Sequence, residues 1–223
     1  MSRPLTEAPH IPVRPAATVI FHREGASGPE VLMGRRGGRA AFLPGRMVFP
    51  GGAVEATDEE VPLAAMPPER ELYRLGLRSE LAPRALLVAA IRETWEETGL
   101  LLGVPGAWED PPAGWRGFAE AGYVPDASAL RLVLRAVTPP GRPRRFDARI
   151  FSAPAEALVE AGHAGDGELS SLAWVPMEAA LADDPPFITR LALGELADRL
   201  DNPDLPPRLV ACEARLTRSS RLG

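Results

Sequence analysis

Glu93, Glu96 and Glu97 stand at i, i+3 and i+4 in the run Arg92-Glu93-Thr94-Trp95-Glu96-Glu97-Thr98-Gly99-Leu100. On a helix, that spacing puts three carboxylates on one face. Like charges so placed destabilise a helix by roughly 0.2–0.5 kcal/mol per pair. They also fall in the last turn, where the helix dipole favours cations. Arg92, four residues before Glu96, offsets one of these charges and not three. A chain that needed only a stable helix would avoid the arrangement. Oxygen-rich carboxylate clusters suit Mg²⁺ or Mn²⁺, so one reading is a metal site. The other is a solvated acidic helix end, and the run alone does not choose between them.

The helix that carries the glutamates is expected over Arg84–Thr98. Ala85, Val88, Ala89, Ile91 and Trp95 form its apolar stripe, and Gly99 stands where a C′ glycine belongs. Upstream, Met47–Phe49 reads as a short strand ending at Pro50-Gly51-Gly52. A glycine pair lets the backbone approach a ligand closely. Strand, glycine pair and carboxylate-bearing helix together suit a metal–phosphate site, which moves the balance toward metal. Ala16–His22, Val31–Arg35, Leu100–Val104, Leu130–Val137, Phe146–Ser152 and Leu172–Val175 read as strands. Trp115–Ala121, Met177–Ala182 and Phe187–Leu200 read as helices. Ala153–Gly167 is expected to be a loop or short helix. Met1–Pro15 reads as a loose arm. Residues 59–84 read as an inserted loop with room for one short helix around Leu72–Leu77, and the chain from Asp201 as a proline-rich and then basic tail. Helices and strands mix throughout, which sets the class at α/β or α+β.

The 223 residues fit one domain of generous size. A net charge of −5 argues against a nucleic-acid partner. It leaves an anionic substrate open, because a bound cation reverses the local field. Cys212 is alone, so neither a disulfide framework nor a Cys/His zinc site is expected, and it reads as a small apolar residue. No signal peptide is visible, and no apolar run reaches the roughly 20 residues of a membrane helix. The expectation is a soluble cytoplasmic protein that binds no membrane.

The run Arg92–Leu100 resembles the second half of the Nudix signature, Arg-Glu-x-x-Glu-Glu-x-Gly. Gly52, five residues and then Asp58 resemble its first half. The family implies an α/β/α sandwich with a mixed sheet, and hydrolysis of a diphosphate by water with Mg²⁺ or Mn²⁺. By this resemblance Glu93, Glu96 and Glu97 hold the metal, the backbone at Gly51 and Gly52 completes the site, and Arg92 orients the glutamates. Three departures stand out. Asp58 replaces a glutamate, which puts its role as a ligand in doubt. Thr94 replaces an aliphatic residue. The family's gap of seven residues before the arginine is here the 33 residues from Glu59 to Ile91, so 26 are inserted. A split box of this kind, with Phe42-Leu43-Pro44-Gly45 and Val48-Phe49-Pro50-Gly51-Gly52 before it, resembles the branch of peroxisomal-type coenzyme A diphosphatases. So do Thr138-Pro139, Arg145–Phe151 and Trp174-Val175-Pro176 beyond it.

Glu168 follows a Gly-Asp-Gly loop before the last expected strand, where many family members place a further metal ligand or a base; an ordinary loop carboxylate is the alternative. Arg35, Arg36, Arg39 and Arg46 flank the approach to Gly51, and arginine contacts phosphate oxygens bidentately. Arg35 and Arg46, with Gly51, Gly52 and Arg145, are the expected substrate contacts. Arg142, Arg144, Arg145 and Arg149 are candidates for a 3′-phosphate. The insertion could cover a pantetheine arm, and the sequence leaves its contacts open. His10, His22 and His163 show no ligand spacing. The tryptophans read as core, Trp115 alone being open as a base platform. The expected substrate is a small nucleotide-type molecule, coenzyme A or acyl-coenzyme A before ADP-ribose, NADH or a dinucleoside polyphosphate. The rivals are a catalytically silent nucleotide sensor and an isomerase acting on a small diphosphate. A homodimer is an open arrangement.

Overall fold

The computed structural model describes residues 11–37, 45–160, 165–213 and 216–223. Residues 1–10, residues 38–44 with Arg39 and Phe42-Leu43-Pro44, and residues 161–164 with His163 lie outside them. In chain order the elements are β1 (Val13–Gly25), β2 (Gly28–Arg36), β3 (Met47–Val48), β4 (Gly51–Ala53), a 3₁₀ turn (Ala56–Glu59), α1 (Glu69–Gly76), α2 (Pro83–Thr98) and β5 (Leu100–Pro105). A 3₁₀ turn (Ala113–Trp115) then leads into α3 (Arg116–Glu120), β6 (Tyr123–Pro125), β7 (Arg131–Val137), β8 (Arg145–Pro154) and β9 (Leu158–Glu160). The rest is β10 (Leu169–Pro176), α4 (Met177–Ala182), α5 (Phe187–Asp201), β11 (Arg208–Glu213) and β12 (Leu216–Arg221).

The main sheet runs β10-β2-β1-β8-β7-β11-β12, with β3 on β2 and β4 on β1; β5, β6 and β9 make a small second sheet. It is mixed, because β1 pairs β8 in parallel and β7 pairs β11 in parallel, while the other ladders are antiparallel. Alternation along the strands divides the apolar residues between two faces. Ala17, Val19, Phe21 and Leu32 pack with α2 residues Leu86 to Ile91. Ile20, Val31, Met33 and Ile150 pack with Met177 and Ala180 of α4 and with Ala192, Leu193 and Leu196 of α5. Helices therefore cover both faces of a mixed sheet, the α/β/α arrangement expected.

Helix α2 starts on Pro83, one residue before the expected Arg84, as suits a residue whose missing N–H costs nothing at a first turn. It ends on Gly99 at φ 71°, a left-handed cap whose N–H donates to Trp95 O at 2.8 Å. Several boundaries depart from expectation. The arm stops sooner, since β1 begins at Val13, held by the parallel register Val13↔Arg145. Ala153–Gly167 contains the strand β9 besides a 3₁₀ turn. Residues 59–84 carry α1 and bury Val61 and Leu75 in the α2-side core, with Met66, Leu72 and Leu77 packed against it. The tail is a hairpin, β11–β12, that extends the sheet past β7, and Leu209 and Val210 enter opposite cores. No helix among the described residues is long and apolar enough to cross a membrane.

Candidate active site

Arg92 lies on the sheet-facing side of α2, 4% exposed, and a buried guanidinium must find acceptors for its donors. Its Nε and Nη2 donate to Asp58 Oδ1 and Oδ2 at 2.9 and 3.1 Å. Nη2 also donates to Ala53 O at 2.9 Å, and Nη1 to Glu93 Oε1 at 2.8 Å and Glu96 Oε2 at 3.1 Å. Arg92 therefore serves two of the three glutamates, where the spacing credited it with one. Asp58 is completely buried; its Oδ2 also accepts the Glu55 N–H at 2.8 Å, closing the 3₁₀ turn. Both Asp58 oxygens are spent on holding Arg92 and this turn.

The third glutamate is held from elsewhere. Glu97 Oε2 accepts the Gly51 N–H at 2.9 Å, and Arg36 Nη1 lies 3.6 Å from Glu97 Oε1. The glycine pair is required by close approach. A Cβ on Gly52 would sit 2.4 Å from the Glu93 carboxylate, and one on Gly51 would meet Thr18 Oγ1 at 2.4 Å and Ala17 O at 2.6 Å. Strand β4, pinned to β1 through Thr18↔Gly51 and Ala17↔Gly52, thus presses its backbone against the carboxylate face of α2. From the other side the loop before β10 closes on the end of α2. Asp166 N–H donates to Glu96 O at 2.6 Å, Asp166 Oδ1 accepts the Glu168 N–H at 2.8 Å, and a Cβ on Gly165 would strike Glu97 O at 2.5 Å. Arg36 Nη2 reaches Glu168 Oε2 at 3.3 Å and so joins this exposed carboxylate to Glu97.

Burial raises the Glu97 carboxyl to about 8, with Glu93 and Glu168 adding repulsion that the Gly51 N–H and Arg36 oppose. Glu93 and Glu96 are raised as well, by burial first, against the pull of Arg92. Carboxylates held in this way, beside a backbone too close for any side chain, have the donor chemistry of a hard divalent cation site. Among the described residues no group of three or more His, Cys, Asp or Glu is already arranged to hold a metal ion.

The expected substrate contacts divide. Gly51 and Gly52 are at the cluster. Arg35 and Arg46 are not: they line a cavity of about 320 Å³ on the α4–α5 side with Met33, Met47, Val175 and Ala180, and Arg35 Nη1 donates to Gly45 O at 2.9 Å. Alternation along β2 is the reason, since Arg35 shares its face with Met33, and Arg36 with Leu32. That parity was the available signal for preferring Arg36. Arg145 is tied to backbone, Nε to Thr138 O and Nη1 to Ile11 O, both at 3.2 Å. Arg149 is buried against Asp147 and donates to Ser79 Oγ at 3.0 Å, so it has no face for a 3′-phosphate. Trp115 is core, packed edge-on against Phe118 and tilted on half-buried Trp108. The contacts of Asp166 and Gly165 with the end of α2 have no signal along the chain, because a Gly-Asp-Gly loop carries no periodicity.

No family model matches the chain. A crystal structure of a NUDIX hydrolase from Alicyclobacillus acidocaldarius superposes with a TM-score of 0.64 at 31% identity, covering 82% of this chain and 90% of that one. An acyl-coenzyme A diphosphatase of Xenopus laevis is 29% identical over 119 residues, 43% of this chain and 31% of that protein. The acyl-coenzyme A diphosphatase of Gallus gallus is 27% identical over 201 residues, 65% of this chain and 53% of that protein. The chain thus spans about half the length, or less, of the curated relatives it matches.

Proposed function

The chain belongs to the Nudix hydrolase family, and from that membership we propose that it hydrolyses the diphosphate of a nucleotide-linked substrate, coenzyme A or acyl-coenzyme A, with Mg²⁺ or Mn²⁺. The observation that carries the hydrolase reading is the Arg92 network, which arrays Glu93 and Glu96 on α2 while Gly51 and Gly52 press against Glu97 and Glu93. Glu93, Glu96, Glu97 and the Gly52 carbonyl are the oxygens that would hold the cation. When bound, such an ion acidifies water and neutralises charge on the bridging oxygen.

The remaining work belongs to the chain. Arg92, anchored by Asp58, fixes Glu93 and Glu96 as an outer support. Glu168, exposed and paired with Arg36, is the carboxylate we assign to take the proton of the attacking water. The absent Cβ of Gly52 leaves the Glu93 carboxylate in place, and that of Gly51 lets β4 lie against β1, so that the glycine backbone borders the carboxylate face.

The substrate class is supported by the two acyl-coenzyme A diphosphatases among the relatives and by the split Nudix box. Comparing kcat/KM for coenzyme A, dephospho-coenzyme A, ADP-ribose and NADH in one buffer tests it. Coenzyme A is expected to lead. An advantage of tenfold or more for ADP-ribose or NADH overturns the coenzyme A assignment and leaves the hydrolase. Turnover that persists in EDTA overturns the metal requirement.

A further inference from the structure

A second cluster of charge lies away from the glutamates, where α1, α5 and the β11–β12 hairpin meet. Glu195 and Arg199 are four residues apart on one face of α5, 2% and 7% exposed. Both Glu195 oxygens are taken: Oε1 accepts from Arg208 Nε and Oε2 from Arg221 Nη1. The other buried carboxylate, Glu71 on α1, is equally occupied. It accepts Arg74 Nη1 at 2.9 Å and the Leu132 N–H at 3.1 Å. Arg74 Nη2 and Arg221 Nη1 both reach the turn after α5, donating to Asp204 O at 3.3 Å and Pro206 O at 3.0 Å. The Asp204 carboxylate is engaged outside by Arg70 at 2.7 Å.

Four guanidiniums, those of Arg74, Arg199, Arg208 and Arg221, thus share two carboxylates, a local excess of two positive charges in a chain whose net charge is −5. Arg199 bears the deficit: its Nε and Nη2 are buried without a hydrogen-bond partner. An arginine so enclosed is among the costliest groups a protein can leave unmatched. Arg221 and Arg208, each about a third exposed, mark where the cluster reaches solvent.

We propose that this junction binds a small doubly charged oxyanion, phosphate or sulfate, among Arg74, Arg199 and Arg221. The charge excess matches a dianion, and guanidinium donors match tetrahedral oxygens in geometry. The bound ion fastens the segment before α2 to the C-terminal hairpin.

The test is thermal unfolding of the full chain in anion-poor buffer, titrated with inorganic phosphate against sodium chloride at equal ionic strength. Phosphate is expected to raise the midpoint by at least about 3 °C at concentrations well above its Kd, and chloride is not. Arg199→Met keeps the packing and removes the unmatched charge. Its midpoint without anion should lie within about 1 °C of wild type or above it, and its phosphate response should vanish. If Arg199→Met fails to fold, Arg74→Gln and the ³¹P linewidth of phosphate with wild type carry the test, with loss of the response and broadening expected. Equal stabilisation by glycerol phosphate marks a phosphomonoester group as the ligand, and stabilisation by phosphate alone marks the free ion; both support the site. A wild-type response no larger than that of chloride, or a response that survives Arg199→Met, overturns it.

Discussion

All five N–H donors of Arg92 are used, two of them on a fully buried Asp58. Lysine offers three donors and no fork. Arg92→Lys is therefore expected to cost about 3 kcal/mol of stability, since Asp58 is left buried and poorly matched, and to lower turnover along with it. Urea unfolding measures the first, and a loss below about 1 kcal/mol would show that Asp58 finds another partner. Glu97 yields a pH dependence. In the folded, metal-free protein burial keeps it protonated up to about pH 8, whereas in the unfolded chain it ionises near 4.5. The native state then binds the extra proton between those values, so stability should fall as pH rises from about 4.5 to about 8. Glu93 and Glu96 act in the same direction. Unfolding in EDTA at several pH values checks this, and Glu97→Gln should flatten the slope; an unchanged slope refutes the assignment to Glu97. With Mg²⁺ present, Glu97→Gln should lower kcat by at least about a hundredfold, the scale of a lost electrostatic contact in an active site.

At the scale of elements, β4 and α2 meet through two glycines whose substitutions should fail differently. A Cβ on Gly52 meets the far end of a flexible glutamate. Gly52→Ala should therefore push the Glu93 carboxylate aside, with a midpoint change of a few degrees and a drop in kcat of more than about tenfold. A Cβ on Gly51 meets the backbone of β1 at Ala17 O and Thr18 Cα. Gly51→Ala should pry β4 from β1 and cost more than about 2 kcal/mol. Parallel activity and melting measurements on both variants decide the matter, and identical profiles would mean that the two contacts are not separate.

Across the whole molecule, the β11–β12 hairpin ties the C-terminal segment to the sheet and to α5. Removing residues 208–223 would uncover β7, take Leu209, Val210 and Leu222 from the cores, and leave Glu195 buried without Arg208 and Arg221. A stranded buried carboxylate alone costs about 3–5 kcal/mol. At about 2–4 °C per kcal/mol for a chain of this size, the truncated protein should melt at least about 5 °C lower. A truncation that melts like the full chain would show that the hairpin is an appendage.

The sequence by itself determined what local rules decide: the position of α2 and its Gly99 cap, the i, i+3, i+4 carboxylates, most strands and the Nudix resemblance. Each follows from residues close together in the chain. The tertiary structure decided the rest through contacts between distant positions. Arg36 faces Glu97 and Arg35 does not, because β2 alternates between two cores whose identity only packing assigns. Asp58 supports Arg92 because a turn 34 residues earlier folds against α2. Residues 59–84 and the tail look polar and broken along the chain, yet α1 and β11–β12 complete the core and the sheet, since the apolar residues each supplies count only once neighbours enclose them.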